Sequence, residues 1–538
     1  MGIPSYYKKL SDKIKGLIIK SKPVKPRGLY LDFNCLIYHC AKRPNTTLPP
    51  YPGHDGKIGW ENLLLDDIVR YVVKLWTEAG KPPEVLLAVD GVVPMAKIKQ
   101  QRLRRFKSIW LAAEEKKQGV HENVAAWQTE AATGSAGIAA QPRVVGETWD
   151  TNCITPGTNF MRRLGSRLSE LCAKRPGWRV SAADEPGEGE HKVMNILRSQ
   201  DAEGGPVIIY GLDADLILLT LMNAKSQSFL MREDSEMGIV QLNGLQEETF
   251  SYFSIDVLKQ AIWSKADVSH DDVCEYVAAM SLLGNDFVPH SLTVKIKDDG
   301  HTFLIEELAA LHSAGMKFVH EVDGKKKIHM GALLWLFKRW ALVEEERLLH
   351  TVKRKLQMKG RVDLRLMENM PLEWSVEQPI VHVQDGKWSI ISGWQDYYRK
   401  EWLFCNDKND IDKCCGEYIY GLQWVLDYYT GQTEVNKLWL YPRLVTPLWC
   451  DLATYMGSAT GSLLLVHPAI ERAILPHEQL AMVLPLESWH LLEDKGLRSL
   501  PATYPHYWPS RFGFFSPGRI RLWECEPLIP LISLDRLR

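Results

Sequence analysis

The sequence predicts an α/β fold: a mostly parallel central sheet flanked by helices, followed by a second, mainly helical lobe. Three short apolar runs carry the first half of that prediction. Arg27-Gly28-Leu29-Tyr30-Leu31 delivers Asp32, Val85-Leu86-Leu87-Ala88-Val89 delivers Asp90-Gly91, and Val207-Ile208-Ile209-Tyr210-Gly211 leads to Asp213 and Asp215. Near-continuous apolar strands alternating with helical stretches indicate strands covered on both faces, hence a parallel sheet whose ligands gather at the carboxyl ends. All three acidic strand ends then open on one edge.

The second half rests on residues from about Thr302 onward, where the pattern is helical and rich in Leu, Trp, Lys and Glu, with a basic stretch at Lys353, Arg354, Lys355 and Lys359. The chain therefore divides into residues 1–300 and residues 301–538. A variable insertion is expected at about 112–141, where the composition turns to Ala, Glu, Lys, Gly and Ser and a helix tail gives way to the small-residue run Ala131–Gly137. At 538 residues the chain exceeds what one hydrophobic core usually organises, so two cooperating regions are expected.

Composition excludes several classes. With 45% hydrophobic and 24% charged residues, and no apolar run approaching the roughly 18 residues that span a bilayer, the chain reads as globular rather than membrane-embedded. Leu17-Ile18-Ile19 is too brief for a secretory h-region, which predicts an intracellular protein, and the cytoplasm is expected ahead of the nucleus. The ten cysteines form no CxxC pair, so reduced thiols are expected. A net charge of −1 offers nucleic acid no global attraction, so any such binding must come from cations concentrated locally.

Seven carboxylates stand out: Asp32, Asp90, Glu188, Glu190, Asp213, Asp215 and Asp286. Each sits in an apolar or glycine-rich setting, where an unpaired carboxylate is costly to bury. Singly, each is better read as a cap or a turn residue, as Asp271-Asp272 and Asp298-Asp299 are. Together, three strand ends, the Glu188-Gly189-Glu190 turn and the Leu283–Phe287 segment are hard to explain as independent caps. Their pairs need a compensating cation, and two divalent ions about 3.5 to 4 Å apart would supply it while stabilising both oxygens of a phosphodiester exchange. Hard oxygen ligands favour magnesium, with manganese as a substitute.

Directly after Asp90-Gly91, a helix is expected from Pro94 onward. Lys97, Gln101, Arg104 and Arg105 fall at i, i+4, i+7 and i+8 on one face, suited to a terminal phosphate. Lys99, Arg102 and Lys107 read as a solvated flank, as does the stretch from Arg162 to Arg179.

Those motifs resemble the Xrn family of 5′-to-3′ exoribonucleases. The likeness runs from Met1-Gly2-Ile3-Pro4 through Val89–Val92, Gln100–Phe106, Asn152–Thr158, Pro186–Lys192, Gly211–Asp215 and Leu283–Phe287, and more weakly over Tyr418–Pro447. It implies a PIN or flap-nuclease-like catalytic domain over 1–300, and a second region over 301–538 that completes the active-site cleft. The seven carboxylates would hold two magnesium ions, and Lys97, Gln101, Arg104 and Arg105 the 5′-phosphate of single-stranded RNA. It further implies base stacking between an aromatic following Asp32 and a Trp of the second lobe. The family usually has His six residues after the first Asp, where this chain has Tyr38; the Trp-x-Trp before Tyr-Pro is reduced to Lys437-Leu438-Trp439. Tyr38 and Trp439 are the matching candidates, since stacking tolerates exchange among aromatics.

Two alternatives define what should be absent. A flap-type DNA nuclease should carry a glycine-rich hairpin after its last acid, whereas Asp286 is followed by Phe287-Val288-Pro289-His290-Ser291. A catalytically inactive RNA-binding homologue should have lost a metal carboxylate, and all seven stand in place.

Overall fold

The computed structural model describes residues 6–43, 48–133, 148–201, 204–211, 213–234, 240–242, 245–262, 269–357, 372, 374–458 and 472–537. Seven strands, β1 (Ile18–Ile19), β2 (Gly28–Asp32), β3 (Glu84–Ala88), β4 (Trp178–Ser181), β5 (Val207–Tyr210), β6 (Ser228–Glu233) and β7 (Phe250–Ser254), form one sheet in the order β1-β7-β6-β5-β2-β3-β4. The five strands from β4 to β6 run parallel, and β7 is antiparallel to both of its neighbours. The mostly parallel sheet expected from the apolar runs is therefore present. β2 lies at the centre of the five parallel strands, with Asp32 in register with Ala88 of β3 and Leu31 with Tyr210 of β5.

Side chains alternate across the sheet and feed two separate cores. Tyr30, Leu86, Ile209 and Leu230 point into one, and Leu29, Leu31, Leu87, Ile208 and Met231 into the other. The region after residue 300 contributes to both. Residues from Leu304 to Leu452 fill the first core, including the helices α5 (Met330–Gln357) and α6 (Lys408–Thr430). Residues between Ile474 and Leu537, including α7 (Pro476–Val483), fill the second, apart from Phe515, which joins the first. The helical part thus embraces both faces of the sheet rather than forming a core of its own.

The helices that follow β2 to β5 start at the carboxyl edge: α1 (Phe33–Lys42) after β2, α2 (Met95–Thr133) after β3, α3 (Gly189–Ser199) after β4, and α4 (Asp215–Asn223) after β5. α2 runs through the expected helix tail as far as Thr133, and residues 134–141 of the expected insertion lie outside the described residues. Ser269 and Asp272 form a reciprocal capping box, as expected of that acidic pair. No cysteine is paired with another, and no helix among the described residues is long and apolar enough to cross a membrane.

Candidate active site

All seven carboxylates converge on the carboxyl edge. Asp32 closes β2, Asp90 follows β3, Asp213 and Asp215 follow β5, and Glu188 sits at the N-cap of α3 with Glu190 in its first turn. Asp286 arrives from the short helical turn Ser281–Leu283 through Gly284, whose φ of 88° suits glycine. Two further glycines let the segments close up. A Cβ on Gly91 would stand 1.8 Å from the carbonyl oxygen of Glu185, and one on Gly189 would stand 2.8 Å from Oδ1 of Asp32.

Neighbours orient these acids. Asp90 accepts from Asn34 Nδ2 at 2.8 Å and from the Gly189 amide at 2.7 Å. Tyr428, on α6, donates its hydroxyl to Glu188 Oε1 at 2.8 Å. The Lys97 ammonium lies 2.5 Å from Glu188, 2.8 Å from Asp286 and 3.9 Å from Glu190. One lysine cannot neutralise seven carboxylates, and the ionisation of the cluster records the excess. Burial, then the charges of Asp90, Asp213 and Asp215, hold Asp32 well above the usual carboxylate range. Burial and Asp215 do the same to Glu190. Asp215 is pushed up to about 7 by burial, against the pull of Lys97. Asp286 goes the other way: burial opposes ionisation, but the charge and hydrogen bond of Lys97, with Arg104 behind it, draw the group to about 2.

Such a cluster fits divalent cations. Donor atoms of Glu188, Glu190 and His191 all lie within 4.8 Å of one another, and the buried Oδ1 of Asp215 has no hydrogen-bond partner. The set is hard oxygen with one imidazole, which suits magnesium or manganese. His191 was not singled out from the sequence, although it stands inside the Pro186–Lys192 motif. Burial keeps its ring neutral, with a pKa near 4, and the ring packs 3.8 Å from that of Tyr428. Tyr428 had no local signal at all, because its role depends on α6 returning to the sheet edge.

α2 carries the expected phosphate-binding residues, and the structure divides them. Lys97 turns its ammonium into the acids, while Gln101, Arg104 and Arg105 stand one to two turns further along. Gln101 is 7% exposed and its Oε1 faces Gln479 Nε2 of α7 at 3.4 Å. Arg105 is 8% exposed, and its Nη1 has no hydrogen-bond partner. Burial draws its pKa down to about 10, with Tyr38 and Asp150 close enough to offset part of that. Tyr38 is half-buried on α1, with the Lys42 ammonium 5.9 Å from its ring centroid.

Two expectations are corrected. Trp439 is only 3% exposed; its indole N–H donates to Glu417 at 2.9 Å, and its ring packs against Trp424 at 5.1 Å and so closely on Gly421 that a Cβ there would clash at 2.7 Å. It is a core residue, not a platform for a base. Lys99, Arg102 and Lys107 are not a solvated flank either. Lys99 donates to the carbonyls of Tyr441 and Arg443, Arg102 to those of Met482, Pro530 and Tyr507, and Lys107 to those of Trp523 and Cys525. They fasten α2 to the C-terminal region. Arg162, Arg163 and Arg167 are ordinary ion pairs with Glu493, Glu61 and Asp66.

A parallel sheet whose carboxyl edge gathers these acids beside a cationic helix defines a PIN-like nuclease fold. Residues 1–234 match the family described as XRN 5'-3' exonuclease N-terminus. It is 26% identical to human 5'-3' exoribonuclease 1 in an alignment covering 100% of this chain and 34% of that protein. It is 30% identical to 5'-3' exoribonuclease 2 of Debaryomyces hansenii over 57% of this chain and 35% of that protein. The corresponding Saccharomyces cerevisiae protein is 29% identical over 57% of this chain and 35% of its own length. The chain spans about a third of the length of the curated relatives it matches.

Proposed function

We propose that this protein is a 5′-to-3′ exoribonuclease that hydrolyses single-stranded, 5′-monophosphorylated RNA to mononucleotides with the help of two magnesium ions, for which manganese can substitute. Asp32, Asp90, Glu188, Glu190, Asp213, Asp215 and Asp286 would hold the ions, with Tyr428 orienting Glu188 and Asn34 orienting Asp90. Such ions, when bound, acidify water and neutralise charge that builds on the scissile phosphate.

The observation that carries the reading is Arg105: a buried guanidinium with an orphaned Nη1, on the helix whose first turn sends Lys97 into the carboxylates. An anion held by Arg104 and Arg105 supplies the missing partner, and the next phosphodiester then lies toward the acids. Gln101, held by Gln479, adds an amide to the same face. Tyr38, beside Arg105, would stack on the first base. The test is digestion of one end-labelled RNA bearing either a 5′-monophosphate or a 5′-hydroxyl, with magnesium or with EDTA. Magnesium-dependent release of mononucleotides, faster for the monophosphate, is expected. Equal rates on the two ends, or full activity in EDTA, would overturn the reading.

A further inference from the structure

We propose a second anion site, on the neighbouring flank of α2, that binds a phosphate group. Ala96, Lys99, Gln100 and Leu103 line one wall of a cavity of about 180 Å³, and the opposite walls come from the segments 283–297, 441–444 and 519–526. Three of the cations around it have no carboxylate within ion-pair distance among the described residues. Arg519 is 4% exposed; its Nη1 lies 3.2 Å from His290 Nδ1, its Nη2 lies 3.5 Å from the Leu444 carbonyl, and its Nε has no partner. Arg443 also has a buried Nε without a hydrogen-bond partner, while its side chain bears on the Cys414 thiol. Lys99 reaches only the carbonyls of Tyr441 and Arg443, at 2.7 and 3.0 Å, and burial draws its pKa down to about 8.

The acids on the same walls are already engaged. Asp286 is 2.8 Å from Lys97, Glu524 is paired with Lys297, and Glu526 lies 3.9 Å from Lys107. Glu524 and Glu526 bear on Arg519 and Lys99 from beyond pairing distance, but each has its own lysine. A buried guanidinium without a counter-charge, as Arg519 is, is costly, and a fold retains it where a ligand completes it. Two guanidinium Nε–H groups without acceptors and an ammonium around a cavity of this size match the oxygens of one phosphate. Arg443, His290 and Trp523 are half-exposed at its margin, so the site is reachable from solvent. The inference does not depend on the nuclease reading, because it uses none of the residues assigned to the front of α2.

The group could come from free phosphate or from a nucleotide, and calorimetric titration separates them. The protein is prepared in EDTA with Arg105→Met, which disables the front of α2, and titrated with inorganic phosphate, AMP and adenosine. Saturable one-to-one binding of phosphate or AMP is expected, the tighter of the two identifying the source, with adenosine inert. Adding Arg519→Met, or separately the half-exposed Arg443→Met, should weaken binding roughly tenfold or more, while Arg162→Ala leaves it unchanged. Arg443→Met keeps the test decisive should Arg519→Met fail to fold. Absence of saturable binding, binding that Arg443→Met leaves within about twofold, or adenosine binding as tightly as AMP would overturn the second site.

Discussion

Replacing Arg105 by Met should move stability and activity in opposite directions. Burial lowers the pKa of this guanidinium to about 10, and its Nη1 has no partner. At about 1.4 kcal/mol per tenfold change in ionisation, holding the charge in that site costs the RNA-free protein about 3 kcal/mol. A base with a depressed pKa carries that cost in full wherever the pH lies below its folded value, so it is undiminished at neutral pH. Met has a similar length and no charge, and Arg105→Met should therefore raise the unfolding free energy by up to about 3 kcal/mol. The same change removes charge-assisted hydrogen bonds worth about 1.5 to 3 kcal/mol each, or roughly tenfold to a hundredfold in rate on 5′-monophosphorylated RNA. The assays are urea unfolding in EDTA and the ratio of initial rates on 5′-monophosphate and 5′-hydroxyl versions of one RNA. Arg105→Met that both destabilises the protein and keeps the monophosphate preference would refute the reasoning, because it would make Arg105 a structural pivot.

Asp213→Ala and Glu190→Ala should each abolish cleavage while leaving far-ultraviolet circular dichroism unchanged; activity in both would remove the metal site. Tyr38→Ala should slow degradation of single-stranded RNA and Tyr38→Phe largely preserve it, whereas equal rates for all three proteins would make Tyr38 a packing residue. Lys107→Ala should destabilise the fold by about 2 kcal/mol with the 5′-end preference intact, since it strands the carbonyls of Trp523 and Cys525; a loss under about 0.5 kcal/mol would return Lys107 to the surface. Glu344 offers a pH test away from the cleft. Burial raises its pKa to about 8, although the amides of Trp449 and Cys450 pull against it. An acid raised on folding costs nothing below its ordinary value and progressively more as pH climbs toward 8. The stability of Glu344→Gln relative to the parent should therefore rise between about pH 5 and pH 8.5, and a flat difference in chemical denaturation would contradict the assignment.

The sequence by itself determined the strands and what they deliver. β2, β3 and β5 are short runs of apolar residues buried on both faces, a pattern with few other solutions, and the acids that follow them must emerge at one edge once the strands are parallel. Glu188, Glu190 and Asp286 were legible as part of that set because each stands in a glycine-bearing turn beside an apolar run. The position of α2 after Asp90 was legible too, as was the face shared by Gln101, Arg104 and Arg105, since both follow from local spacing and helical period.

Only the tertiary structure decided what those side chains meet. Lys99, Arg102 and Lys107 have the pattern of a solvated flank, yet their acceptors are carbonyls some 340 to 430 residues away in sequence, which no local periodicity encodes. Trp439 reversed expectation, and Tyr428 escaped it, for the same reason. The tryptophan nearest the family motif is sealed against Gly421 and Trp424, whereas an unremarked tyrosine one turn past Trp424 reaches Glu188 across the cleft. The two cores likewise came from long-range packing, with residues 304–452 and 474–537 settling on opposite faces of the sheet. Secondary structure and strand-end chemistry are written in spacings of two to four residues. Partner choice is set by which distant surfaces remove the most apolar area from water while leaving each buried donor an acceptor, and that balance exists only once the whole chain is packed.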